Sequence, residues 1–222
     1  MLALAALAHA PVHAAESKAA TTSFAISKPR IDAALQLTGL GDYGRRWPHQ
    51  LSGGQAQRVG IARALAVKPD LLLMDEPFSA VDAITRRNLQ QELIRVWQAS
   101  GAAVLFVTHD IEEAVFLGDR VVVMYLGRVV EIAPTEALFA APNHPYTSAL
   151  LTEVPRIDRK RRTFVPIKGE IPSPMNPPTG CHFHPRCPLA FDLCSKAAPA
   201  LIANGAALVS CHAVNRPDAK AA

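Results

Sequence analysis

Long apolar runs are missing from this sequence. No stretch reaches the ~18 to 20 uninterrupted apolar residues that a membrane-spanning helix needs, so any membrane attachment is predicted to run through a partner. Aromatic residues make up only 6% of the chain. A nucleic-acid surface needs aromatic rings among its basic side chains, and none interleaves with the one basic cluster. The sequence therefore predicts no nucleic-acid partner, although it has a basic cluster of Arg156, Arg159, Lys160, Arg161 and Arg162.

Cysteine is absent from the first 180 residues, and all four cysteines follow at spacing C-x5-C-x6-C-x16-C. Such clustering predicts one shared site. Zinc is one candidate ligand because three histidines lie beside the cysteines, although C-x5-C is wider than the usual zinc spacing. Disulfides are a weaker alternative for a cytosolic protein, and four unligated thiols are another. The residues concerned are Cys181, Cys187, Cys194 and Cys211, with His182, His184 and His212.

Composition places the chain among globular proteins. Half of the 222 residues are apolar, enough to bury the core of one domain or two small ones, and the net charge is +4. Residues 1–28 have no convincing periodicity and are predicted to be mostly disordered or a weak helix. The start imitates a secretory cleavage site around Val12-His13-Ala14 but lacks the basic residues of a signal peptide. We interpret it as a poorly ordered start.

The stretch from Leu51 to Asp82 carries the clearest local pattern. Ser52 and Gln55 have the spacing of an N-cap and capping box, which predicts a helix start whose N–H groups favour an anion. The apolar run Leu71 to Met74 predicts a buried strand, and Asp75 and Glu76 follow it. Two acids at the end of such a strand lie where α/β proteins bind ligands.

Four motifs occur in order along the chain: LSGGQ, the strand closed by Asp75-Glu76-Pro77, Ser79-Ala80-Val81-Asp82, and Val107-Thr108-His109-Asp110. In this order and spacing they resemble the nucleotide-binding domain of ABC transporters, over about residues 31–150. The resemblance implies an α/β fold, with part of a P-loop NTPase (ABC-type) sheet and flanking helices. It also implies an ATPase subunit that lies at the inner face of the cell membrane and binds permease subunits.

The resemblance assigns roles to individual residues. Asp75 would hold Mg²⁺, Glu76 would polarise the attacking water, and His109 would contact the γ-phosphate of ATP. The helix start would cap the phosphate of a nucleotide held by a second ATPase subunit in a head-to-tail dimer, and Asp82 would lie at the dimer seam. Singly, each residue also has a structural explanation, such as a helix cap or a strand edge, and only the ordered set favours the ABC family. The capping residues are Ser52, Gly53, Gly54 and Gln55.

The sequence departs from the family in one respect. No G-x-x-x-x-G-K-[ST] occurs, so the loop that cradles the α- and β-phosphates is missing. The chain therefore resembles the C-terminal portion of an ABC ATPase behind an unrelated N-terminal segment. We expect weak or no ATP binding by the chain alone, and we expect that its LSGGQ loop can still serve a partner that has a P-loop.

The tail carries a second resemblance, on Asn143-His144-Pro145-Tyr146-Thr147, Gly169 to Pro174 and Pro178 to Pro188. These segments are similar to the C-terminal extension of oligopeptide and dipeptide importer ATPases, in which such cysteines can hold a [4Fe–4S] cluster. The segment from Ser79 to Met124 is closer to nitrate, sulfonate and taurine importer ATPases. The chain is therefore interpreted as a mosaic.

Together these patterns predict three regions: residues 1–28 unassigned, residues 29–152 from an ABC domain, and residues 153–222 as an irregular Pro/Cys-rich extension. The predicted function is to couple ATP hydrolysis to import of peptides or a similar small solute. Three alternatives stay open. They are a non-catalytic subunit that lends its LSGGQ loop, a non-functional fragment, and a metal-binding module built on the tail.

Overall fold

The structure, a computed structural model, describes residues 3–8, 26–79, 82–152 and 169–216. The chain forms two compact units. One is Leu7–Val107, and the other joins Met1–Ala6 to Thr108–Ala222. Among the described residues, no helix combines the length and apolarity needed to cross a bilayer.

In the described part of the unit Leu7–Val107, three helices accompany two parallel strands. The strands pair in register from Leu71↔Ala103 to Asp75↔Val107. The sequence predicts a helix over residues 31–40 and another after LSGGQ, and both are confirmed. Residues 43–50 are predicted as a loop, and they contain the 3₁₀ turn Pro48–Gln50. The elements are α1 (Lys28–Leu37), α2 (Gly53–Leu65), β2 (Leu71–Asp75), α3 (Ala83–Ser100) and β3 (Ala103–Thr108), whose last residue begins the other unit.

The core of this unit confirms one prediction and corrects another. Leu89, Leu93 and Val96 of α3 are buried, as their helical spacing predicts. The prediction that β2 is a buried strand is wrong for Leu71 and Leu73, which are 48% and 66% exposed. The difference is tertiary: Leu71 and Leu73 share one face of β2, and only the opposite face, with Leu72, is covered.

The second unit is built on an antiparallel hairpin. The sequence predicts strands over 120–125 and 128–132 around Leu126-Gly127. Strands β4 (Arg120–Tyr125) and β5 (Arg128–Pro134) pair there, and a bulge interrupts their register at Val123/Met124. The sequence also predicts helices over 111–117, 135–140 and 143–151, and these are confirmed as α4 (Ile111–Leu117), α5 (Thr135–Ala140) and α6 (Pro145–Thr152). Strand β1 (Ala3–Ala8) lies beside β4, in a segment where the sequence predicted disorder or a weak helix.

The tail is more regular than predicted. It contains the short helix α7 (Asp192–Lys196) and a hairpin of β6 (Ile202–Asn204) and β7 (Ala207–Val209). Strand β7 pairs antiparallel with β5, with Glu131 opposite Val209. Strands of three residues carry too little periodicity to be predicted, and long-range pairing decides them. The predicted boundary near residue 153 stays a prediction because residues 153–168 lie outside the described residues.

Candidate functional site

The start of α2 has the predicted capping box. The Ser52 hydroxyl accepts a hydrogen bond from the Gln55 backbone N–H at 3.3 Å, and the Gln55 side-chain oxygen accepts one from the Ser52 N–H at 2.9 Å. A Cβ atom added at Gly53 would meet no heavy atom within 4 Å. The first turn is therefore fixed by its own side chains and open to the approach of a ligand.

The two predicted acids lie at the end of β2. Asp75 is exposed and Glu76 is half-buried, and both line a cavity of about 460 Å³ that Gly53 also lines. The structure thus brings the helix start and the strand-end acids to one cavity. The rest of its lining is largely apolar, including Ile61, Ala64 and Leu72.

Glu76 has a strained backbone. Its φ is +42°, in the left-handed region that non-glycine residues avoid, and it precedes a proline, which favours extended backbone at this position. The Glu76 N–H donates to the Val107 carbonyl at 2.8 Å, and its own carbonyl accepts from the backbone N–H and hydroxyl of Ser79. Phe78, which is 1% exposed, anchors the same turn. Strain of this kind costs about 1–3 kcal/mol and is found preferentially at functional sites.

Replacing Glu76 by glycine should therefore leave the protein more stable than replacing it by alanine. Both Glu76→Gly and Glu76→Ala remove the carboxylate, but only glycine relaxes at positive φ. We expect Glu76→Gly to exceed Glu76→Ala in free energy of unfolding by about 1 kcal/mol, measured by urea titration. Equal stability of the two variants would show that the turn holds no such strain.

The other two predicted residues are exposed. Asp82 directly precedes α3. His109 follows β3 in the second unit, between two residues of a buried network. In this network the Thr108 hydroxyl donates to Glu113 at 2.6 Å and accepts from the Asp110 N–H at 3.0 Å, while Asp110 caps α4. These hydrogen bonds fix the backbone on both sides of His109.

The four cysteines of the tail are free thiols, and two of them are buried. The Cys181 N–H donates to the Cys194 carbonyl at 2.8 Å. A Cβ at Gly180 would lie 2.4 Å from that carbonyl, so only glycine permits this approach. Burial, with smaller effects of the neighbouring thiols of Cys211, Cys181 and Cys194, raises the pKa of Cys187 to about 11. Burial also raises the pKa of Cys181 and of Cys211.

A site for a single metal ion is not preformed at these thiols. Over the ranges that the structure describes, no three His, Cys, Asp or Glu side chains converge closely enough to hold one ion. The nearby histidines each use one ring nitrogen for a backbone carbonyl, namely Leu126 for His182, Cys181 for His184 and Ala197 for His212. Because no such group is found among the described residues, the geometry supports neither the zinc alternative nor the iron–sulfur cluster, and the cluster stays a prediction.

Beside the thiols lies a buried polar network that the sequence reasoning missed. Glu131 is 0% exposed, and its carboxylate accepts hydrogen bonds from the Asn143 N–H, the Asn143 amide and the His144 N–H at 2.9, 3.1 and 3.0 Å. His144 is 1% exposed, and its Nδ1 accepts from the Tyr146 N–H. Burial lowers the pKa of His144 to about 4, against an opposing effect of Glu131. The run Asn143-His144-Pro145-Tyr146 is part of the motif that carries the second resemblance, but nothing in the sequence pattern marks Glu131 as its partner.

Comparisons with known families match two regions of the chain. The model for "ABC transporter" matches residues 4–79, and the model for "Oligopeptide/dipeptide transporter, C-terminal region" matches residues 130–194. The first match begins at residue 4. The expectation of an unrelated N-terminal segment is therefore wrong.

Curated relatives are named as peptide transporters. The chain is 50% identical over 179 residues to a probable peptide ABC transporter ATP-binding protein of Sinorhizobium fredii, covering 79% of this chain and 50% of the relative. It is 42% identical over 201 residues to the dipeptide transport ATP-binding protein DppF of Escherichia coli, covering 89% and 60%. The chain thus spans about half the length of the relatives that it matches.

Among solved structures, one match is cbiO1 from Clostridium perfringens, part of an ABC transporter complex. It has 33% identity and a TM-score of 0.48, and the match covers 50% of this chain and 45% of that chain. The capping box and the strand-end acids lie within the region that the first family model matches, and the second model matches the tail. The chain combines part of an ABC transporter ATP-binding domain with an oligopeptide/dipeptide transporter C-terminal region.

Proposed function

We propose that the chain is the ATP-binding portion of a peptide importer subunit, positioned at the cytoplasmic face of the membrane by permease subunits. The observation that carries this proposal is the open, capped start of α2 beside Asp75 and Glu76 in one cavity. The relatives named for peptide and dipeptide transport support the choice of solute. The chemistry supplied would be hydrolysis of ATP coupled to solute movement.

Different residues of the chain would have different roles in ATP hydrolysis. Asp75 would hold Mg²⁺ when the nucleotide is bound, and Glu76 would orient the attacking water. His109 would contact the γ-phosphate, and Asp82 would lie at the seam with a second ATPase subunit. The capped helix start would present N–H groups to the phosphate of a nucleotide held by that subunit.

The helix start needs no P-loop of its own to act in this way. We therefore propose that the chain supplies its signature helix in trans to a P-loop-bearing subunit, and that this half of the site outperforms the half containing Asp75 and Glu76. The alternative role as a non-catalytic partner subunit makes the same use of α2. Binding of labelled ATP to the isolated chain distinguishes the two, because only a catalytic subunit binds it.

Two substitutions at Ser52 separate capping from phosphate binding. Ser52→Ala removes the cap and should cost about 1 kcal/mol of unfolding free energy, whereas Ser52→Asp keeps a good N-cap but places a negative charge where phosphate would bind. We expect the wild-type chain to raise the ATPase rate of a complete ABC subunit, and we expect both variants to reduce that stimulation by roughly 100-fold. The measurement is phosphate release from the mixture.

The stability of Ser52→Asp is the control in this experiment. If it unfolds like the wild type in urea and yet gives no stimulation, the loss is due to charge at the phosphate position. Stimulation that is equal for the wild type and Ser52→Asp would contradict an anion site at the start of α2. A wild-type chain that never changes the partner's rate would contradict the proposed role in trans.

We also propose that the tail holds a [4Fe–4S] cluster. Four free thiols in the tail support this proposal, because the donor set fits a cluster that is bound at four corners and so spaces its ligands more widely than one ion does. When bound, such a cluster supplies one-electron transfer or structural cross-linking. Within the chain, the close approach of the Gly180 backbone to the Cys194 carbonyl would place Cys181 beside Cys194.

Anaerobic reconstitution of the full chain with ferrous iron and sulfide tests this assignment. We expect a brown protein with about four iron atoms per chain, and we expect Cys187→Ser to bind far less iron. Iron content and visible absorption are measured together with zinc content. A colourless protein that carries one zinc ion per chain would contradict the cluster.

A further inference from the structure

Two parts of the fold, which we call the supports, carry the four thiols: the loop of Cys181 and Cys187, with α7, and the strand end at Cys211. Cys181 and Cys187 flank Phe183, which is 1% exposed, and the backbone bond from Cys181 to Cys194 ties α7 to the same loop. Cys211 instead follows β7, whose register is set by pairing with β5. A four-thiol site therefore requires that a loop and a strand end be held in a fixed relation.

The loop is held by aromatic packing. The Phe183 ring lies 5.3 Å from the ring of Tyr125 and 5.3 Å from that of Tyr146, centroid to centroid. The His144 ring lies 6.0 Å away, tilted by 53°. These separations are within the range of favourable aromatic pairs, so the ring of Phe183 anchors the loop between the first two thiols.

The strand end is held by the network around Glu131. Its register partner is Val209, and the Ser210 N–H donates to the Val130 carbonyl at 2.9 Å. The Glu131 carboxylate accepts a hydrogen bond from the His144 backbone N–H at 3.0 Å. The residue after Ser210 is Cys211.

His144 thus contacts both supports. Its ring packs against Phe183 on the loop, and its backbone N–H donates to Glu131, the register partner of Val209 near the strand end. Its Nδ1 is occupied by the Tyr146 N–H, while its buried Nε2 has no hydrogen-bond partner. A ring whose second nitrogen has no partner acts here through shape and position.

We propose that His144 is a positioning residue for the four-thiol site, its ring setting the distance between the loop of Cys181 and Cys187 and the strand end at Cys211. This role deepens the proposed iron–sulfur function and rests on it. His144 touches neither the cluster nor nucleotide in this role. It acts through Phe183 and Glu131.

Two substitutions separate the ring from its hydrogen bond. In His144→Asn, the amide oxygen can replace Nδ1 as acceptor for the Tyr146 N–H, but the rest of the ring is lost. In His144→Phe, the ring remains and the acceptor is lost. Thr147→Val, at a fully buried position on α6, the helix that follows His144, is the matched control because the Thr147 hydroxyl also has no hydrogen-bond partner.

The full-length chain and these variants are reconstituted with iron and sulfide, and cluster loss to an iron chelator is followed by visible absorption. We expect His144→Asn to lose the cluster about tenfold faster than the wild type, as is usual for residues that support metal ligands. His144→Phe and Thr147→Val should keep wild-type rates within about threefold. The electron paramagnetic resonance spectrum of the reduced cluster should shift in His144→Asn only, which a general loss of stability would not produce.

Each outcome has a distinct meaning. Equal cluster loss in the wild type and His144→Asn, or loss in His144→Phe as fast as in His144→Asn, overturns the positioning role alone. A wild-type chain that takes up no cluster overturns the iron–sulfur assignment and the positioning role with it. If His144→Asn does not fold, Phe183→Leu removes the facing ring while keeping an apolar side chain, and the same comparison of rates and spectra applies.

Discussion

Replacing Glu131 by alanine should lower the free energy of unfolding by about 3–5 kcal/mol, one of the two largest effects expected in this chain. The carboxylate is fully buried and accepts three hydrogen bonds from Asn143 and His144. Its removal leaves the buried His144 N–H and the half-buried Asn143 N–H without their acceptor and opens a cavity. The Asn143 side-chain amide keeps a second acceptor, the Ala141 carbonyl. Unsatisfied buried groups each cost about 1–3 kcal/mol. Urea unfolding followed by circular dichroism measures the loss.

Glu131→Gln tests whether the loss of stability in Glu131→Ala comes from the lost hydrogen-bond acceptors or from the lost side-chain volume. Its amide oxygen can still accept from the two Asn143 donors, but its amide N–H₂ faces the His144 N–H, so we expect an intermediate loss of about 2 kcal/mol. The control is Glu136→Ala, an exposed acid on α5, which should change stability by less than about 0.5 kcal/mol. Equal effects at the buried and exposed positions would contradict the structural role of Glu131.

Acidification should destabilise the protein through His144. Burial lowers the pKa of His144 to about 4 from 6.5, against an opposing effect of Glu131, so the folded chain keeps this ring neutral where the unfolded chain protonates it. Stability is fully present above about pH 6.5 and is lost as the pH falls toward 4. The loss through this residue should be about 3 kcal/mol, since each pKa unit corresponds to about 1.4 kcal/mol.

His144→Phe isolates this contribution. The phenyl ring cannot be protonated, and all other titrating groups are shared by the two proteins. The wild type should therefore lose about 3 kcal/mol more than His144→Phe between pH 7 and pH 4, measured by urea titration at each pH. Parallel pH profiles would show that His144 is not held neutral in the folded chain.

Local patterns predicted the secondary structure of the central segment well. The helices α4 and α5 and the turn Leu126-Gly127 begin and end where the sequence predicts, because capping residues, apolar periodicity and turn chemistry act over a few residues. The capping box of Ser52 and Gln55 is likewise a local interaction between neighbours in the chain. Sequence spacing alone contains the information for such features.

Other features depend on residues that are distant in the chain. The exposure of Leu73 depends on which face of β2 is covered, and the turn at Glu76, with its positive φ, is held by a hydrogen bond to Val107. The buried state of Glu131 depends on Asn143 and His144, twelve and thirteen residues later. A glutamate in a strand gives no local sign that its carboxylate will be buried.

The sequence by itself determined the family, the order of the motifs, and which residues are candidates for phosphate, magnesium and thiol chemistry. These depend on residue type and spacing, which the chain carries directly. Only the tertiary structure decided that Gly53 shares a cavity with Asp75 and Glu76, and that His144 contacts both Phe183 and Glu131. The physical reason is that strand pairing and core packing join segments far apart in sequence, and both depend on the whole set of buried contacts.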